Sequence, residues 1–503
     1  MQINIGYFLY KRALLSPKKE ALVVGSLRYT YQQLNERANK LANAMRKAGI
    51  KRGDRVAVLA LNEPEYFELY FGLGKIGAIM VPINHRLAPP EVAYIAEDCG
   101  APILVFGPEF APVVDAIRQN IPADTLLALG PSTPEWAKSY EDVVGPASSE
   151  EPEHEGGDDD TLTILYTSGT TGKPKGAMLT HAGYYGNSVN LASTFGDIGD
   201  RLLMPLPLFH IGGLAPVPMC VHFGHSMIFQ KAFDPGNFLA LIKTEGITWF
   251  GSVPQVLMFL RSVPDFETFD WSRIKMALVY AAPVPVTLIR EFAAKGMEVR
   301  QLYGMTECTG PAVVIDSEYA VQKAGSCGLP LFHTDIRVVD DKGNDVAADE
   351  IGEVLIRTTH LMKGYWNRPE ATADTIRDGW LYSGDLAKKD ADGFLYILDR
   401  KKDMIISGGE NIYPAEVEDC LMAHPKVADV GVIGAPDEKW GEAVKAVVVP
   451  KKGETLTQDE VISWCKDKLA RFKTPKQVVL TDAIPRTPTG KILKRVLRDQ
   501  YNK

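Results

Sequence analysis

From its first residues to about position 110 the chain alternates helical and strand-like apolar spacing, an order that few architectures accommodate. TYQQLNERANKLANAMRKAG repeats apolar residues at helical intervals, with Thr30 as the N-cap and Gly49 as the stop. DRVAVLAL reads as a buried strand, EYFELYFGLGKIG as a second helix and AIMVPIN as a second strand. Strands joined through helices run parallel, which places the chain in the α/β class with a mostly parallel sheet. The pattern resumes after residue 176 and continues to about residue 330. Residues 333–398 differ. TDIRVVDDKGNDV, GEVLIRT and GFLYILD are short alternating strands with DKG and ADG turn signals, as in a β-rich subdomain.

At 503 residues the chain exceeds what one core supports, so two to four domains are expected at roughly 100–200 residues each. The charged segment Asp399–Lys402 marks a boundary and a hinge, dividing residues 1–398 from a smaller α+β unit, 399–503. SSEEPEHEGGDDD, residues 148–160, lacks apolar periodicity and reads as an acidic linker. The net charge of −8 argues against bulk nucleic-acid or anionic-membrane binding. The six cysteines are scattered without a CxxC pair, against a disulfide framework or a zinc site. The N-terminus has no long h-region, so a cytoplasmic protein is expected. The uncharged run Leu202–Gln230 is broken by Pro205, Pro207, Pro216 and Pro218, which favours buried strands and turns over a membrane span.

Two short motifs mislead. GLGKIG (72–77) satisfies G-x-G-x-x-G, but a helix precedes it and a strand follows, the reverse of a dinucleotide fingerprint; close helix packing explains its glycines. VHFGHS offers His222 and His225 without an acidic or cysteine partner, so a structural role is expected.

YTSGTTGKPKG (166–176) is more informative. It lacks the Walker A spacing, with two residues between Gly169 and Gly172 and Pro174 after Lys173. Its glycines nevertheless let backbone N–H groups converge on an anion, its hydroxyls donate, and Lys175 adds charge. Four later segments accompany it: QLYGMTE (301–307), WLYSGD (380–385), DRKKDMIISGGENIYPAEVE (399–418) and PRTPTGKILK near the C-terminus.

In this order the segments resemble the adenylate-forming (AMP-binding) superfamily, and within it the stand-alone acyl-CoA synthetases, over essentially the whole chain. The resemblance implies a large N-terminal domain of layered α/β subdomains and a small mobile C-terminal domain. It also implies an ATP-, Mg²⁺- and CoA-dependent ligase. A carboxylic acid, expected to be a fatty acid, is converted to acyl-AMP with release of pyrophosphate and then transferred to CoA with release of AMP. The alternatives are an aryl- or cinnamoyl-type CoA ligase and a non-catalytic nucleotide-binding homologue.

By the same resemblance, Thr167, Ser168, Gly169, Thr170, Thr171, Gly172 and Lys175 hold the β- and γ-phosphates. Tyr303 stacks on adenine beside Ala282, Gly304 and Met305, Thr306 bonds the α-phosphate, and Glu307 coordinates Mg²⁺ with Thr167. Asp385 grips the ribose with Arg400 alongside, and Lys491 bridges carboxylate and phosphate as charge builds. Lys402 is the hinge, Gly408 and Gly409 enter the site in the second step, and His210 gates carboxylate from thiol. Trp440, Phe472 and Lys476 contact the CoA nucleotide, with Thr474 where a basic residue can occur. A monomer or homodimer is implied, with peripheral membrane contact left open.

One departure stands out. The family usually has Gly-Gly-Ala-Pro where this chain reads Tyr280-Ala281-Ala282-Pro283. The tyrosine is expected to limit or redirect the acyl pocket.

Overall fold

The computed structural model describes residues 2–167, 173–196, 198–407, 410–466, 468–487 and 490–502. Among them the strands form four sheets, of nine, eight, five and five strands. The eight-stranded sheet gathers the first helix–strand alternation. Arg55–Leu59 lies between Ile79–Pro82 and Ile103–Phe106, parallel to both. The amphipathic helix forms as its spacing predicts, over Tyr31–Lys47, with a Thr30 capping box closed by Gln33.

The glycines of the GLGKIG segment pack helices. A Cβ at Gly72 would lie 2.6 Å from the Ala38 carbonyl oxygen, and one at Gly74 would lie 3.0 Å from Leu162. The same helix, Glu65–Lys75, buries a lysine completely: Lys75 is 0% exposed. Such a cation needs partners. Its Nζ donates to Asn35, Asn39 and Glu151. Residues 148–160 are therefore no free linker. They form a strap along the Tyr31–Lys47 helix, where Asn39 donates to the Ser149 carbonyl and Asn43 to those of Ser148 and Glu150. Lys75 lies far from the acids in sequence, which is why composition alone suggested a linker.

The nine-stranded sheet carries the second alternation. Arg201–Met204, Trp249–Ser252, Met276–Val279 and Val299–Met305 run parallel and adjacent. The uncharged run Leu202–Gln230 spans one of these strands, the short helices Ile211–Leu214 and Pro216–Phe223, and the strand Ser226–Phe229. No helix among the described residues is long and apolar enough to cross a membrane. His222 hydrogen-bonds Ser188 and packs on Phe8 and Phe223.

Residues 334–400 build an antiparallel five-stranded sheet whose last member, Leu395–Arg400, pairs with Trp380–Lys389. The chain then enters the fourth sheet at Ile405–Ser407. That sheet has its own core around Val417, Val432, Val444, Ala446 and Val461. Lys494 and Arg498, on the C-terminal helix, bind Asp399 and Asp403 at the crossover.

Candidate active site

Ligands of parallel α/β sheets bind beyond the carboxyl ends of the strands, and Thr167, His210, Thr306, Glu307, Arg400 and Lys491 line one cavity. Thr167 ends the strand Thr161–Thr167 and pairs with Lys175 at the start of the next. The segment between them, Ser168, Gly169, Thr170, Thr171 and Gly172, lies outside the described residues, as do Gly408 and Gly409. Lys175 places its ammonium 5.2 Å above the Tyr365 ring, a cation–π contact.

The strand Val299–Met305 delivers Tyr303, Gly304 and Met305 to its end, followed by a 3₁₀ turn, Thr306–Cys308. Gly304 has no room for a side chain: a Cβ would lie 2.7 Å from Pro311. The Tyr303 hydroxyl donates to Asp385 at 2.7 Å. Arg400, directly across the antiparallel ladder, binds the other Asp385 oxygen at 2.7 Å. Each carboxylate oxygen keeps a second acceptor site, so both remain able to take a hydroxyl. Ala282 sits half-buried after Ala281, whose φ of 73° is left-handed.

Glu307 is buried at 8% exposure and accepts a 2.8 Å hydrogen bond from the Tyr365 hydroxyl. Sequence reasoning missed Tyr365. Its signal lay in GYWN, but only the pairing of Gly364–Tyr365 with Ala177–Met178 brings it beside Lys175. Glu307 and Thr167 line one cavity, and a hard carboxylate oxygen there suits Mg²⁺, which takes one or two carboxylates and otherwise relies on water and substrate phosphates.

Lys491 reaches this site from the far end of the chain. Its N–H donates to Thr487 Oγ1. The Gly490 carbonyl accepts from Arg486 at 2.6 Å and from Gln255 at 3.3 Å. Gln255, on the helix Pro254–Leu260, is a second residue that no motif revealed. Burial, reinforced by the positive charge of Arg400, lowers the Lys491 pKa, while Asp385 and Glu307 oppose the shift. His210 caps the helix Ile211–Leu214, its Nδ1 accepting from the Gly212 N–H at 3.2 Å, so the ring proton sits on Nε2. Burial and the nearby Lys491 push its pKa down to about 3.

One cavity of about 270 Å³ is lined jointly by His210, Thr306, Glu307, Arg400 and Lys491, with Tyr280 beside them. Lys402 is exposed at the crossover, where partial desolvation of its ammonium lowers its pKa. Trp440, Phe472 and Lys476 stand apart, on the C-terminal sheet unit. The Lys476 ammonium lies 4.9 Å over the exposed Trp440 ring, and Lys473 lies 5.7 Å from the Phe472 ring. Thr474, by contrast, is buried.

Residues 9–366 match the family described as AMP-binding enzyme, and residues 416–491 its C-terminal domain. The chain is 44% identical to the long-chain-fatty-acid–CoA ligase FadD13 of Mycobacterium tuberculosis, covering 99% of each. It is 41% identical to a feruloyl-CoA synthase of Amycolatopsis, again over 99% of each. Among solved structures, o-succinylbenzoate CoA synthetase of Bacillus subtilis with its acyl-adenylate intermediate superposes with a TM-score of 0.89 at 33% identity, covering 99% of this chain and 98% of that one. The Mycobacterium tuberculosis fatty acyl CoA synthetase superposes at 0.80 with 43% identity, covering 99% and 98%.

Proposed function

This chain belongs to the AMP-binding enzyme family, and we propose that it is an AMP-forming acid–CoA ligase working in two half-reactions. In the first, a carboxylate oxygen attacks the α-phosphorus of ATP and pyrophosphate departs. In the second, the thiol of CoA attacks the acyl carbon and AMP departs. The observation that carries this reading is the shared cavity in which Lys491 meets His210, Thr306, Glu307 and Arg400.

Two anionic reactants must approach, so the first step needs cations and donors where charge develops. Lys491 bridges the carboxylate and the α-phosphate, with Thr306 donating to the same phosphate. Lys175 and residues 168–172 hold the leaving pyrophosphate. Asp385 receives the ribose hydroxyls, and Tyr303 packs on adenine. Glu307, steadied by Tyr365, would hold Mg²⁺ with Thr167; the ion supplies neutralisation of phosphate charge. His210, neutral at physiological pH, presents its Nε2–H toward the acid without adding charge.

Lys491 is needed only while pyrophosphate leaves. Residues 399–503 therefore act as the unit that turns about Lys402, withdrawing Lys491 and bringing Gly408 and Gly409 to the adenylate. Trp440, Phe472 and Lys476 then meet the CoA nucleotide. The acid is apolar, as the lining by Leu165, Leu191, Met204, Met219 and Leu278 requires. The relatives it resembles are named for fatty acids and for ferulate, so both kinds of acid belong in the test.

The test is pyrophosphate release from Mg-ATP in the presence of a panel of fatty and aryl acids, then thioester formation on adding CoA. Acid-dependent release followed by CoA-dependent AMP is expected. Absence of release with every acid would leave only a nucleotide-binding protein.

A further inference from the structure

We infer that Tyr280 is a fixed crossbar in the acid pocket that restricts the substrate to compact, planar acids of the aryl or arylpropenoic class. This inference rests on the ligase reading above and names the substrate class of the same site.

The cavity lies between one face of the parallel strands and the helices opposite. Side chains alternate along a strand, so Trp249 and Gly251 share that face, with Leu278 paired beside Gly251. Leu191, Phe195 and Met219 close the pocket from the helices. Tyr280 follows the strand Met276–Val279, and its N–H still pairs with the Ser252 carbonyl at 3.1 Å. From there the side chain reaches over the neighbouring strands. Its hydroxyl donates to the Gly212 carbonyl at 2.7 Å and lies 4.0 Å from the Met204 sulfur.

Two glycines make room for it. A Cβ at Gly212 would lie 2.7 Å from Tyr280 Cε2, and one at Gly251 would collide with the Tyr280 hydroxyl. The ring is therefore held at both ends, by backbone pairing at one and by a hydrogen bond at the other. Swinging it aside would break the bond to Gly212, the same residue whose N–H orients His210.

Lys491, this ring, Phe195 and Ile198 all line the same pocket. An acid held there therefore shares the pocket with the ring. The cavity that Tyr280 lines is about 270 Å³, below the roughly 300–1,000 Å³ typical of pockets for drug-sized ligands. A flat acid can lie against an aromatic face in offset stacking; a long saturated chain gains no such contact and needs more of the small volume.

The test compares 3-phenylpropenoate with hexadecanoate as substrates for pyrophosphate release by the full-length protein and its variants. The wild-type protein is expected to prefer 3-phenylpropenoate in kcat/KM by about tenfold or more, a discrimination that pocket shape can supply. Tyr280→Gly is expected to shift that ratio toward hexadecanoate by about tenfold, and Tyr280→Phe to retain the wild-type preference. Tyr280→Leu, which keeps apolar bulk without reaching Gly212, shifts the ratio in the same direction and serves where the glycine variant does not fold. A wild-type preference for hexadecanoate overturns the inference, as does an unchanged ratio in both Tyr280→Gly and Tyr280→Leu. Either result leaves the ligase reading standing. Failure of the wild-type protein to release pyrophosphate with any acid overturns both.

Discussion

The Tyr365 hydroxyl donates a 2.8 Å hydrogen bond to the Glu307 carboxylate while its ring lies 5.2 Å beneath the Lys175 ammonium. One side chain thus sets the spacing between the carboxylate that would hold Mg²⁺ and the cation that would hold pyrophosphate. Tyr365→Phe keeps the ring and removes the bond. Loss of such a supporting partner typically costs about tenfold or more in metal affinity. The half-saturating Mg²⁺ concentration for adenylation is expected to rise by that factor, with Lys175 contacts preserved. An unchanged Mg²⁺ dependence would show that Glu307 holds its position without the tyrosine.

Lys491→Ala separates the half-reactions. Acyl-adenylate formation should fall by about 10²-fold or more, as when a preorganised charge donor is removed. Conversion of supplied acyl-adenylate and CoA to thioester should stay close to wild type. Single-turnover assays of each step measure this, and equal losses in both would remove Lys491 from its assigned role.

Lys402→Pro probes the hinge. Proline fixes φ near −65° and restricts the residue before it, so a crossover that must re-aim the 399–503 unit becomes stiff. Adenylation should survive while thioester formation drops by about tenfold, in keeping with a gating step. A variant normal in both steps would place the pivot elsewhere.

His360 and His181 govern an acid-side loss of stability. Both are 0% exposed, and burial pushes each pKa down to about 4 from 6.5. His360 donates from Nδ1 to the Cys308 carbonyl and accepts at Nε2 from Asn190, whose amide also donates to Thr334. His181 accepts at Nδ1 from the Ile5 N–H, so protonation there would break its bond to the first helix. Between pH 6.5 and 4 the unfolded chain binds more protons than the folded one. Their stabilisation is therefore complete above pH 6.5 and lost as pH falls, at up to about 1.4 kcal/mol per pH unit for each histidine. His360→Asn should be less stable than wild type at neutral pH, the gap narrowing on acidification in denaturant titrations. A constant gap would show that His360 titrates alike in both states.

Local periodicity made much of the fold legible. The Thr30-capped helix, the parallel strands after it and the short antiparallel strands past residue 333 depend on contacts within a few residues, or on a repeat that any local window shows. The motifs likewise named the chemistry, because glycine, hydroxyl and lysine in YTSGTTGKPKG suit an anion whatever surrounds them.

What the sequence by itself determined is thus the α/β class, the family and the residue types available to the site. Tertiary structure alone decided their partners. The acidic strap follows from a lysine buried far from it in sequence, Tyr365 meets Glu307 and Lys175 through an edge-strand pairing, and Gln255 meets Gly490 across the chain. Tyr280 shows the same division. The tyrosine itself was plain in the sequence, but its direction was set by two distant glycines and one carbonyl oxygen. Propensity and periodicity act over a few residues, whereas burial of charge, hydrogen-bond pairing and steric fit depend on which distant atoms the closed fold brings within a few ångströms.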